Sequence, residues 1–229
     1  MSETPKLPER LREAVAVDLR PVRPLASPWR RVLWVAPVVA LILVFAIAHF
    51  GVRPDLNHLS PWLSWLPVGV QLMMGLALLA LALQEAVPGM GISRTVVVCF
   101  CLLALGLHVG VNLLIWLSYP MGTANFLQSW WNCFHYEVLL GIPLLVVITV
   151  LAASALPVRP RTVGLLSGAG AGIMSDASWR MICPITTPYH VLLAHGGGIL
   201  LLAGTGYLLG WLWERNRAGG ISEGSVCPR

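Results

Sequence analysis

The chain has 229 residues, of which 57% are hydrophobic and only 11% charged, with a formal net charge of +5. A soluble domain carries about 25% charged residues, so this chain cannot cover itself with a hydrated surface, and the same balance excludes disorder and collagen-like or disulfide-scaffold folds. A polytopic membrane protein is expected, with the basic surplus read as topology and no direct contact with nucleic acid.

Residues 1–31 are the one sizeable segment outside the apolar runs. Pro8 suits a first helical turn, and Leu7, Leu11, Val15 and Leu19 recur every four residues, flanked by Ala14 and Asp18. A helix of about 12 residues is marginal alone in water, so it needs a membrane surface or a partner's groove to lie on. Glu9, Glu13 and Asp18 weigh against a lipid-bound face and favour docking to a soluble cytoplasmic protein. Pro21, Pro24 and Pro28 then stop the helix and favour an extended tether.

Six mostly apolar runs follow: Val32–Phe50, Trp62–Leu83, Thr95–Leu117, Tyr136–Leu156, Thr162–Ala177 and His190–Trp213. A hydrocarbon core of about 30 Å takes roughly 20 residues of helix, and runs without period-two alternation select helices over a barrel. The fifth run is the weakest, because Ser167, Ser175 and Asp176 dilute it. The expected fold is an all-α membrane protein of six transmembrane helices with a short cytoplasmic N-terminal amphipathic helix. Its parts are an arm (1–31), a bundle (32–213) and a cytoplasmic tail (214–229). With the N-terminus inside, 13 Lys and Arg fall on the cytoplasmic side and only Arg53 and Arg180 on the other, which predicts an N-in/C-in topology. Trp34, Trp62, Trp65, Trp116, Trp130, Trp131, Trp179, Trp211 and Trp213 lie near predicted span ends, where indoles prefer to sit. Arg30-Arg31 ahead of a run ending in Ala46-Ile47-Ala48 superficially fits a twin-arginine signal, but the long arm and five further spans argue against cleavage.

Cys99, Cys101 and Cys227 fall on the cytoplasmic side and read as free thiols. Cys133 and Cys183 fall on the opposite side. In a hairpin turning at Arg159, Cys133 lies 26 residues before the turn and Cys183 24 after it, so both sulfurs sit at similar height. A structural disulfide and a redox-active or metal-responsive pair both remain open. Two thiolates with His135 or His190 make an acceptable soft-metal set, although no Cys-x-x-Cys zinc pattern is present. His195 is an ionisable group at membrane depth and needs a partner, for which Asp176 and Glu137 are the candidates. His135, His190 and His195 are therefore the metal or relay candidates, while His108, Asn112 and Glu85 read as packing groups.

Gly164, Gly168 and Gly172 recur every four residues, and Gly206 and Gly210 repeat the spacing below Gly196-Gly197-Gly198. Small residues at this period let helix backbones approach closely. The chain carries no His-Glu-x-x-His or phosphate-loop motif, so no enzyme and no resident cofactor are expected. The competing class is a membrane thiol oxidoreductase using Cys133 and Cys183, which would turn over a quinone or dithiol. A small transporter is a third reading, supported only by His195, Glu137 and Asp176.

The segments LREAVAVDLRPVRPL, VRPDL, WWNCF, LPVRPRTVGLLSGAGAG and ICPITTPYHVLLAHG, in this order, resemble the NrsF-type anti-sigma factors over about residues 10–213. These are six-span bacterial inner-membrane proteins. The resemblance implies a negative regulator whose N-terminal arm binds an extracytoplasmic-function sigma factor, and the helix read in that arm makes Leu11, Val15, Asp18 and Leu19 the expected contacts. It also implies that Cys133 and Cys183 respond to heavy-metal or oxidative stress, transient metal capture being the one ligand event expected. The tail after Arg217, His135 and Glu137 are not assigned by it.

Overall fold

The computed structural model describes residues 9, 10, 13, 25–57, 60–120 and 125–223. The expected sigma contacts Leu11, Val15, Asp18 and Leu19, the tether, and Cys227 lie outside the described residues.

Every regular element among the described residues is helical. A short helix α1 (Pro28–Val32) runs through a 3-10 turn into α2 (Ala36–Phe50), and Gly51 ends it at φ 78°, a conformation glycine adopts without strain. Then come α3 (Pro61–Glu85), α4 (Arg94–Ser118), α5 (Phe126–Ala153) and α6 (Pro160–Trp179). The chain closes with α7 (Pro188–His190), a π-helical turn at Val191–His195, and α8 (Gly196–Glu223).

Among the described residues, five stretches are long and apolar enough to cross a membrane: Pro28–Phe50, Ser64–Glu85, Arg94–Ser118, Leu127–Ala153 and Pro188–Arg217. The helix that falls short is α6, the run read as weakest in the sequence. Its dilution has a structural cause. Every residue from Gly170 to Arg180 is buried, so α6 presents serine, glycine and aspartate to other helices instead of to lipid. The outer helices do the reverse and expose Leu41, Phe45, Leu102, Leu105, Val146 and Leu200.

The glycine repeat explains how α6 occupies the centre. A Cβ on Gly168 would run into the backbone of Leu202 and Ala203, and one on Gly206 into the backbone of Gly164. The α6–α8 contact is thus backbone against backbone, which only small residues permit. Gly75 and Gly170 allow a similar approach between α3 and α6.

The two ends of the bundle differ. One is laced by arginine: Arg159 pairs with Glu85 at 2.5 Å and donates to the Ile92 carbonyl at 2.8 Å, while Arg161 pairs with Glu214 at 2.6 Å. Arg31 donates there to the Leu151 carbonyl and, at 3.2 Å, to Ser154 Oγ. At the other end Arg53 grips Asp55 through two bonds of 2.7 and 2.5 Å, both side chains buried. Its backbone N–H donates to the Met181 carbonyl at 3.0 Å, fixing the loop that carries Cys183. Trp34, Trp62, Trp65 and Trp131 are exposed, as an indole belt requires. Trp179 departs from that expectation and is buried, edge-on to Phe50 at 5.0 Å and stacked on Tyr136 at 5.2 Å.

Candidate functional site: a buried thiol, histidine and carboxylate cluster

Cys133 lies on α5, and Glu137 follows one turn later on the same face. Cys183 sits in the loop after α6, which winds tightly because the N–H groups of Ile182 and Cys183 both donate to the Trp179 carbonyl at 2.9 Å. The two sulfurs are 3.4 Å apart, and both cysteines are buried free thiols.

Two histidines join them. His190 Nε2 lies 3.6 Å from Cys183 Sγ, and the His190 and His195 rings meet edge to face at 5.4 Å. On a regular α-helix residues five apart point about 140° away from each other. The π turn at Val191–His195, with its i→i+5 repeat, brings both rings onto one face. One ligand atom each from Cys133, Cys183, His190 and His195 falls within 4.8 Å of all the others, and all four residues are buried.

His195 also turns to the carboxylates. Its Nδ1 lies 2.7 Å from Asp176 Oδ1 and 3.3 Å from Glu137 Oε2, and all three residues are buried. Asp176 is the hub of the network. Gln71 Nε2 donates to its Oδ2 at 2.5 Å, His108 Nδ1 is 3.2 Å from the same oxygen, and Arg180 Nη2 is 3.9 Å from Oδ1. Arg180 in turn donates to Asn112 Oδ1. Helices α3 and α4, the π turn and the loop after α6 thereby converge on one buried carboxylate, which supplies the partners a polar group needs inside a bundle. The Cys183 thiol, outside the apolar spans, is pushed above the ordinary range by the hydrogen bond it shares with Cys133 and then by burial.

These residues match a family along most of the chain. The profile of the NrsF family, described as negative regulator of sigma F, matches residues 15–215. The chain belongs to the NrsF family. Membership makes it a negative regulator of a sigma factor, held here on a scaffold of apolar helices long enough to cross a membrane. No curated protein and no solved structure matches the chain.

The structure brings together four of the residues singled out in the sequence, Cys133, Cys183, His190 and His195, and gives His195 both of its candidate partners. His135 is not among them. It is exposed and stacks on Trp131 at 6.1 Å, because residues two apart on a helix point about 200° apart and only one can face the cluster. His108 and Asn112, read as packing groups, belong to the Asp176 network. Gln71 and Arg180 were not singled out for the site. The usable signal was their type: a glutamine inside an apolar run and an arginine beside the weakest one.

Proposed function

We propose that this family member is a six-span, N-in/C-in protein of the bacterial inner membrane that sequesters an extracytoplasmic-function sigma factor. The arm, residues 1–31, binds the sigma factor through Leu11, Val15, Asp18 and Leu19. In this reading α6 crosses as a central helix shielded from lipid. The arginine-laced end faces the cytoplasm, consistent with the 13 Lys and Arg that this topology gathers on that side. Cys133 and Cys183 are the input. Metal capture or oxidation there shifts the bundle to a state with lower affinity for the sigma factor, and a tenfold release needs only about 1.4 kcal/mol of coupling.

The observation that supports this most is the buried sulfur pair, 3.4 Å apart, at the end of α5 away from Arg31. Two free thiols so placed have a ready chemical response to thiophilic metals and to oxidants. The test uses the full-length protein in detergent as bait for host lysate, beside a Leu11→Asp/Val15→Asp variant. Recovery of one sigma factor by the first bait alone is the expected result. In cells, a Cys133→Ser/Cys183→Ser variant should still repress a sigma-dependent reporter but no longer respond to metal or oxidant. Recovery of the sigma factor by both baits would remove the arm from the mechanism, and normal induction in the double variant would remove the cysteines.

A further inference from the structure

The two cysteines account for only half of the group at this end of the bundle. Of the two histidines beside them, His195 carries a buried ring nitrogen, Nε2, with no hydrogen-bond partner, and His190 turns its Nε2 toward Cys183 Sγ. In His195 the other nitrogen is committed to Asp176 at 2.7 Å. A histidine that gives its Nδ1–H to a carboxylate keeps its Nε2 lone pair free and fixed in direction, which is the arrangement found behind metal-bound histidines.

The spacing fits as well. A tetrahedral ion with bonds of about 2.3 Å to sulfur and about 2.0–2.1 Å to nitrogen separates its two sulfurs by about 3.8 Å and a sulfur from a nitrogen by about 3.6 Å. The distances here are 3.4 Å between Cys133 Sγ and Cys183 Sγ and 3.6 Å between Cys183 Sγ and His190 Nε2.

We propose that Cys133, Cys183, His190 and His195 form a four-coordinate site for a thiophilic divalent cation of the zinc–cadmium type, with Asp176 as the positioning residue for His195. The proposal rests on the reading of the cysteine pair as the input, and specifies what that input is. Capture is not a redox step. Two S–H bonds break, two metal–sulfur and two metal–nitrogen bonds form, and the two thiol protons leave to solvent. Two thiolates balance the dication, so the loaded site is neutral and suits a buried position. The neighbouring set of Glu137, Asp176 and His195 is the competing site. It offers oxygen ligands, and Asp176 within it is already engaged by Gln71, His108 and Arg180.

The test titrates the reduced full-length protein in detergent with Co2+ as a spectroscopic probe, then displaces it with Cd2+. Expected are the intense visible bands of tetrahedral cobalt with sulfur charge transfer, one equivalent per chain, released by one equivalent of Cd2+. His190→Ala and His195→Ala should each weaken cobalt binding at least tenfold and lose the tetrahedral spectrum. The near-isosteric Asp176→Asn should weaken it about ten- to a hundredfold while keeping that spectrum. Closure of the Cys133–Cys183 disulfide by diamide, measured in each variant, certifies that the site region is still folded.

Unchanged cobalt affinity and spectrum in both histidine variants would overturn the four-ligand site. So would a weak octahedral spectrum indifferent to Cys133→Ser/Cys183→Ser, which would place the ion on the carboxylates. Failure here differs from failure of the broader reading. If the histidines prove dispensable while the cysteine double variant still abolishes induction in the reporter, the sensor stands without this site. If induction survives the double variant, the sensor reading itself is lost whatever cobalt does.

Discussion

Arg31, where the first apolar stretch begins, donates its guanidinium hydrogens to the carbonyl oxygen of Leu151 in the last turn of α5. The same helix carries Cys133 near its other end, about 27 Å away at 1.5 Å per residue. A single helix, interrupted in its ladder only at Pro143, therefore joins the thiol pair to Arg31. Cations beside the last carbonyls of a helix are also favoured by its dipole.

This link predicts the behaviour of Arg31→Ala. A hydrogen bond from a charged group is worth about 1.5–3 kcal/mol, so the variant should fold but lose its grip on α5. In a sigma-dependent reporter, repression should persist, because the arm itself is intact, while induction by Cd2+ falls away. Full induction in this variant would show that the signal does not pass through α5.

The α6–α8 contact makes a second prediction. Gly168→Ala and Gly206→Ala each push a methyl group into opposing backbone, which cannot yield as a side chain can. Overpacking of this kind costs about 1–3 kcal/mol or more. Gly106 and Gly204 have open space where a Cβ would go. Alanine at either should be neutral or stabilise by up to about 1 kcal/mol through helix propensity. Thermal unfolding in detergent, ranked over the four variants, checks the contrast.

Arg180 holds Asn112 and faces Asp176 from a buried position. Replacing it with methionine leaves Asp176 short of its full positive charge, and breaking a buried pair costs about 3–5 kcal/mol. The Asn112→Leu variant should lose less on its own, and the double variant should lose less than the sum. A double-mutant cycle on unfolding midpoints measures this, and strict additivity would mean that the two side chains act independently.

The raised Cys183 thiol gives a pH signature. A free thiol ionises near 8.5, and a group held above that value has little thiolate at neutral pH. Alkylation of Cys183 should therefore be slow at pH 7 and still be climbing above about pH 8.5, where an ordinary thiol is half ionised. Mass-resolved alkylation over a pH series reads the site. A Cys183 rate that levels off below that pH contradicts the environment described. Diamide should in addition remove Cys133 and Cys183 together from labelling, since the sulfurs need only close from 3.4 Å to about 2.05 Å.

Much of this architecture can be read from one sequence, for reasons particular residues make plain. The apolar runs are visible because lipid demands them. The meeting of Cys133 and Cys183 is visible because a hairpin at Arg159 leaves them nearly equal arms. The dilution of α6 is visible too, but its cause is tertiary, since nothing local says that Asp176 will find Gln71 from 105 positions away. His135 misleads because adjacency in sequence is not adjacency on a helix. The π turn that aligns His190 with His195 leaves no periodicity to detect in so short a stretch.

The polarity of α6 bears on how the protein is made. A segment holding Asp176 and four closely packed glycines has little drive to leave the insertion machinery for lipid by itself. It settles only when α3, α5 and α8 are on hand to receive it, and α8 is the last of these to emerge from the ribosome. Chains truncated before α8 should therefore strand α6 at the translocon and be cleared by membrane proteases, so the final helix acts as a quality checkpoint for the whole fold.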